Sequence, residues 1–344
     1  MPTEKSISVI ITSYNYARYL PESLGAIVEQ SFKPKEVLVV DDASTDNSVE
    51  IIEGFARRYP FVRLIRNASN KGVNRSLRIG LEQATGDYIF FTAVDDKILP
   101  GLFEKSMALL ARYPQAGLCS SLTRFLSADG KDMGLYQTSI ISEKECFVPP
   151  ERYVATYREY DNWILTYSAI FARSAVLEDG GPLEELGPHS DAVMIRNIAM
   201  KHGSCFIPEA LSMWRRVAGG YGHQFGQNFD RSMKQIDYTC AHTITPGDAT
   251  GEEYIRLWKR RMILMVAHHI VEETPCRYEN IAALRSHMPF LNGIDRLFFA
   301  GTKLYPLIGP WPIKLYLFYN QRFREKLRII RLKLSLLMGR AAHG

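Results

Sequence analysis

Two pairs of adjacent carboxylates, Asp41-Asp42 and Asp95-Asp96, each follow closely on a short apolar run, and this placement restricts what the chain can fold into. Glu36 to Val40 (EVLVV) and Tyr88 to Thr92 (YIFFT) read as buried strands, as does the β-branched run Ile7 to Ile11, which leads into Thr12-Ser13-Tyr14-Asn15. Residues 17 to 31 set Leu20, Leu24, Ile27 and Val28 at helical spacing. A second helix, Asn47 to Tyr59, follows Ser44, Thr45 and Asp46 as N-cap candidates. Residues 61 to 66 then read as a strand, 74 to 84 as a helix, and Gly86-Asp87 turn the chain into Tyr88. Strands alternating with helices call for a mostly parallel sheet with helices on both faces. Ligands of such sheets sit beyond the carboxyl ends of the strands, where both carboxylate pairs fall.

Further along, Gly117 to Arg124 and Ser168 to Phe171 read as strands, and Asp191 to His202 as a helix through Val193, Ile195, Ile198 and Ala199. Beyond about residue 226 the pattern is helical, with Glu252 to Val271 and Tyr278 to His287 as the best segments. The expected organisation is an α/β catalytic domain over 1–225 and a helical C-terminal region over 226–344.

The net charge of +5 is concentrated: Arg322 to Arg340 holds seven Lys or Arg against the single acid Glu325, so a nucleic-acid-binding face is not expected on the body. The five cysteines form no CxxC pair, which argues against a zinc ribbon or a thioredoxin-type site and for thiols in a reducing compartment. The start MPTEKSISVIITSYN lacks a signal-peptide pattern. The longest apolar candidate, Leu297 to Phe318, is broken by Lys303, Lys314 and three prolines and falls short of the roughly 18 apolar residues a membrane span needs. A cytoplasmic location is expected.

Adjacent carboxylates repel each other unless a cation or hydrogen-bond donors meet them. Mg²⁺ and Mn²⁺ take oxygen ligands, often one or two carboxylates plus substrate phosphates. The competing explanation is that Asp42 and Asp96 merely cap the helices that follow.

These residues carry a resemblance. SVIITSYNYARYLPESLGAIVEQSFKPKEVLVVDDASTDNSVEII resembles the opening of family 2 glycosyltransferases, inverting enzymes with the GT-A fold. NKGVNRSLRIGLEQATGDYIFFTAVDDKILPG resembles the segment leading to that family's DxD-type motif, and GPHSDAVMIRNIAMKHGSCFIPEALSMWR the segment holding its catalytic base. The resemblance implies that Thr12, Tyr14, Asn15 and Asp42 bind the nucleotide, with a carboxylate taking the imide N–H of uracil. It implies that Asp95 and Asp96 meet ribose and a Mn²⁺ or Mg²⁺ ion, and that Asp191 is the general base. Ala93 replaces the first carboxylate of the DxDD form that many members carry, and Ser190 stands where members often have Glu. The other reading of Asp191 is a residue that only helps start its helix.

His223, in the glycine-rich GGYGHQ segment, is a candidate third metal or phosphate contact, set against a plain structural histidine. Arg215 and Arg216 could meet phosphate or pair with acids. The (Q/R)xxRW signature of processive synthases is absent. The basic, apolar tail over 297–340 suits either an anionic membrane surface, where lipid-linked acceptors lie, or packing on the domain or in a homo-oligomer interface.

The expected function is metal-dependent transfer of one sugar from a nucleotide sugar, UDP-linked by preference, to a hydroxyl of a glycan, a lipid-linked or another acceptor in cell-surface glycan assembly. The rivals are a degenerate fold that binds nucleotide sugar without turnover, and a nucleotidyltransferase, which would need a Gly-rich basic loop after the first strand. An oxidoreductase would need GxGxxG at that place, where Tyr14-Asn15 stand.

Overall fold

The computed structural model describes residues 5–136, 139–160, 162–215, 229–243 and 249–272, with 284, 286–289, 296 and 300 beyond them. The chain divides into two compact units, 1–220 with 242–250, and 221–241 with 251–344.

The first unit opens with β1 (Ile7–Ser13), α1 (Leu20–Val28), β2 (Glu36–Asp41), α2 (Ser48–Arg58), β3 (Val62–Arg66), α3 (Val73–Gln83) and β4 (Tyr88–Ala93). It continues through β5 (Lys97–Ile98), α4 (Leu102–Arg112), β6 (Leu118–Leu126), β7 (Asp132–Leu135), β8 (Cys146–Val148), α5 (Tyr153–Tyr160), β9 (Ala169–Ala172), α6 (Arg173–Asp179), α7 (Ser190–His202) and β10 (Ser204–Arg215). One sheet runs in the order β3-β2-β1-β4-β9-β6-β10-β5, with β7 beside β6 and β8 beside β10.

Every residue of β1 and β2 is buried, which is why both read as unbroken apolar runs. Side chains alternate across the sheet. Ile7, Val9, Ile11, Val37, Val39 and Phe90 join a core with Leu20, Leu24 and Ile27 of α1, Ile52 of α2, and Leu102 and Phe103 of α4. Ile10 and Val40 point to the other face, against α3. A Cβ on Gly80 of that helix would lie 2.4 Å from Ile10 Cγ2, so the close approach needs glycine.

The expected parallel pairing holds for β3-β2-β1-β4 and for β6-β10. Between them β9 lies antiparallel to both β4 and β6, making the sheet mixed. Strand β10 was not separable in the sequence because Pro208 and Glu209 interrupt its apolar run. The structure absorbs them as register shifts between Ile207 and Ser212.

The second unit's described residues lie mainly in α8 (Phe229–His242) and α9 (Ala249–Glu272), where Lys259 Nζ meets Asp237 Oδ1 at 2.7 Å. Most of the expected helix 278–287, nearly all of the basic tail, His223 and Arg216 lie outside the described residues. Among the described residues no helix is long and apolar enough to cross a membrane.

One carboxylate at the end of α6 weakens the first unit. Burial pushes Asp179 up to about 6, against the opposing pull of the Asn197 amide at 2.8 Å and of Lys201. A raised folded-state pKa means the native protein holds more protons than the unfolded chain between about pH 4 and 6, so stability falls as pH rises through that window. Asp179→Asn keeps an acceptor for Asn197 and removes the buried charge. Urea unfolding at pH 8 should show the variant more stable by about 2 kcal/mol, with the gain vanishing at pH 4.

Candidate active site

Parallel pairing sets the chain segments after β1, β2, β3 and β4 at one end of the sheet. Thr12 pairs in register with Val40 on one side and Ala93 on the other, and Ser13 pairs with Asp41. The turns beyond are strained: Asn15 and Ala43 have φ of 55° and 64°, and among the described residues they are the non-glycine residues with positive φ. The two turns are latched together. Asn15 N–H donates to Ser44 Oγ at 3.0 Å, and Asn15 Oδ1 accepts the Thr45 N–H at 2.8 Å.

Asp42 is buried beneath the segment that follows β3. Its Oδ1 accepts Asn67 Nδ2 at 2.7 Å and the Lys71 N–H at 2.8 Å, and its Oδ2 accepts the Gly72 N–H at 2.8 Å. Gly72 has φ of 85°, a conformation that suits glycine and aims its N–H at the carboxylate. Asp42 is therefore no helix cap: Asn47 precedes α2, and Asp46 takes the Ser48 N–H at 3.0 Å. Asp41 turns inward, its Oδ2 accepting the Ser44 N–H. Tyr14 is 45% exposed at the rim, and a hollow of about 380 Å³ opens beside Ala43, Ser44 and Asn67.

Asp95 and Asp96 follow β4 and also cap nothing, since Gly101 precedes α4. Burial raises the Asp95 carboxyl above its ordinary range, and burial together with the Asp95 charge raises Asp96 well above it. Arg215 holds this turn in place: its N–H donates to Asp96 Oδ1 at 3.0 Å and its Nε to the Asp95 carbonyl at 2.9 Å. The guanidinium also pairs with Glu22 Oε2 at 2.5 Å and lies 4.7 Å from the Tyr19 ring centroid. That answers the question left open for Arg215, which pairs with acids and backbone.

A divalent cation fits the donor set at Asp95 and Asp96. Two carboxylates whose charges are disfavoured by burial and by each other gain from an ion between them. Among the described residues no cluster of three or more His, Cys, Asp or Glu could hold a metal ion.

Asp191 lies in the first turn of α7, behind His189 as N-cap residue. Its Oδ1 accepts the Ala192 N–H and its Oδ2 the Thr166 hydroxyl, both at 2.6 Å. It thus contributes to the helix start, and it also lines a hollow of about 120 Å³ with Asn162, Thr166 and Tyr167. Tyr167 links the two acidic centres: burial first, then Tyr136 and the charges of Asp96 and Asp191, push its phenol well above the usual value. The short turn that carries Tyr167, Thr166–Ser168, packs against both β4 and α7.

The structure places Thr12, Asn15, Asp42, Asp95 and Asp96 at one sheet end, with Tyr14 at the rim and Asp191 connected through Tyr167. Sequence reasoning missed Tyr16, whose phenol is raised by burial first and then by the charges of Asp95 and Asp96 among others. The Tyr14-x-Tyr16 alternation was the available signal. Tyr167 carried none, because it sits on a short 3₁₀ turn, Thr166–Ser168, in the least patterned stretch.

Residues 8–175 match the model of glycosyl transferase family 2. The putative glycosyltransferase EpsE of Bacillus subtilis is 40% identical over 114 residues, 33% of this chain and 41% of that protein, so the chain matches less than half of that relative's length. The S. aureus TarS structure in complex with UDP-GlcNAc superposes with a TM-score of 0.65 at 17% identity, covering 93% of this chain and 92% of that one. The Pyrobaculum calidifontis mannosyltransferase PcManGT, in complex with GDP-Man and Mn²⁺, gives 0.58 at 19% identity over 92% and 84%. The first unit's mixed sheet is that of the GT-A fold, and residues 8–175 are a glycosyl transferase family 2 domain.

Proposed function

We propose that the chain is an inverting, metal-dependent glycosyltransferase that moves one sugar from a nucleoside-diphosphate sugar, UDP-linked by preference, to an acceptor hydroxyl in cell-surface glycan assembly. The observation that carries the reading is that the 3₁₀ turn Thr166–Ser168 packs against both β4, whose end bears Asp95 and Asp96, and α7, which bears Asp191, with Tyr167 and Asp191 lining one hollow. Leaving-group stabilisation and proton removal have to flank one space, and these are the two groups suited to them.

Thr12, Tyr14, Asn15 and Asp42 receive the nucleotide at the ends of β1 and β2. Asp95 and Asp96 would hold a Mn²⁺ or Mg²⁺ ion, which would supply positive charge to the departing diphosphate. The acceptor oxygen bonds to the anomeric carbon as the bond from that carbon to the phosphate oxygen breaks. The nucleoside diphosphate leaves with the electron pair, from the face opposite the attack. Asp191 takes the acceptor proton, its carboxylate held by Thr166 and the Ala192 N–H with lone pairs to spare.

The two structural neighbours divide between uridine and guanosine nucleotides in their bound molecules. The test is calorimetric titration of UDP, GDP and dTDP with and without Mn²⁺. The expected result is binding of UDP above the others, and only with metal. A folded protein that binds none of the three is a degenerate scaffold, the outcome for which Ala93 stands.

A further inference from the structure

Four aromatic rings form a wall beside this site. Trp214 of β10 pairs in register with Phe125 of β6, and their rings lie 5.8 Å apart. Tyr136, just after β7, comes within 4.8 Å of Trp214, and Tyr167 stacks on Trp214 at 5.9 Å with planes 8° apart. The wall is continuous with the acidic centres. Trp214 precedes Arg215, whose N–H holds Asp96, and Tyr167 lines the same hollow as Asp191. Yet Tyr136 remains 44% exposed, so part of this aromatic surface faces solvent at the active site.

The surroundings of the rings identify the chemistry they suit. Thr166, Asn162 and Asp191 bring a hydroxyl, an amide and a carboxylate to the hollow that Tyr167 lines. Ile164, Leu165 and Ile195 add apolar surface to the same hollow. A pyranose ring matches both parts: a flat C–H face for the aromatic planes and equatorial hydroxyls for the polar groups.

We propose that Phe125, Tyr136, Tyr167 and Trp214 form the acceptor subsite, and that the acceptor presents a pyranose ring there with one hydroxyl toward Asp191. The assignment rests on the reading of the chain as a glycosyltransferase, and it narrows the acceptor from any hydroxyl compound to a saccharide.

The test is saturation-transfer NMR on the full chain with UDP and Mg²⁺. The probes are the methyl pyranosides of glucose, galactose, mannose and N-acetylglucosamine, together with octyl glucoside. At least one methyl pyranoside should show saturation of its ring C–H protons. Affinity should fall about tenfold in Tyr136→Ala and persist in Tyr136→Phe, which keeps the ring but loses the hydroxyl. UDP titrations should be the same in all three proteins, and thermal melting checks their folding. Absence of ring saturation from every pyranoside, an unchanged signal in Tyr136→Ala, or saturation confined to the octyl chain overturns the subsite. If UDP still binds in those cases, only the subsite falls; if it does not, the glycosyltransferase reading falls with it.

Discussion

Asp191→Asn is expected to lower sugar transfer by about 10²–10⁴-fold while leaving UDP affinity in the presence of metal unchanged. The substitution is nearly isosteric. With its oxygen accepting the Ala192 N–H, the Asn amide donates its NH2 to the Thr166 hydroxyl oxygen, so both contacts now made at 2.6 Å keep a counterpart. What it removes is the ability to take a proton from the acceptor as the new bond forms. A residue that served only to start the helix would behave differently: its loss would lower the melting temperature by the modest amount expected of one helix-terminal carboxylate and leave turnover per folded molecule intact. Parallel kinetics, UDP calorimetry and thermal melting therefore separate the two roles. Unchanged kcat in the folded variant would remove Asp191 from the mechanism.

Much of the architecture was legible because it obeys local rules. The strands β1, β2 and β4 are buried on both faces, so they appear as apolar runs, and α1 has the spacing of a one-sided helix. The carboxylates stood out because charges directly after a buried strand have few structural uses. What stayed hidden depends on contacts distant in sequence. The four-residue strand β9 lies between β4 and β6 by antiparallel pairing, which no periodicity announces. Asp42 finds its donors at Asn67, Lys71 and Gly72, some 25 to 30 residues away. Arg215 reaches back 193 residues to Glu22, which is why a sequence could not decide what it pairs with. Tyr167 acquires its place only when β4 and α7 both pack on its turn, Thr166–Ser168.

Asp96→Asn separates function from stability in opposite directions. In the metal-free protein the Asp96 carboxyl is held well above its ordinary range by burial and by Asp95, so its ionised form is a cost to the fold at neutral pH. Asn removes that charge and still offers an oxygen to the Arg215 N–H, now 3.0 Å from Asp96 Oδ1. Arg215 is not stranded, because it retains Glu22 and the Asp95 carbonyl. Melting of the metal-free variant should therefore occur at a higher temperature than that of the parent chain. Metal-dependent transfer should fall by about 10³-fold, the several kcal/mol that a cation contributes to a departing diphosphate. The carboxylate lost at Ala93 makes the effect larger, since Asp95 alone then remains of the motif. A variant that melts lower and keeps its metal dependence would mean that Asp96 is a structural partner of Arg215 and that the ion, if used, is held elsewhere. Higher melting with lost transfer is the signature of a carboxylate retained against the interest of the fold because the reaction needs its charge.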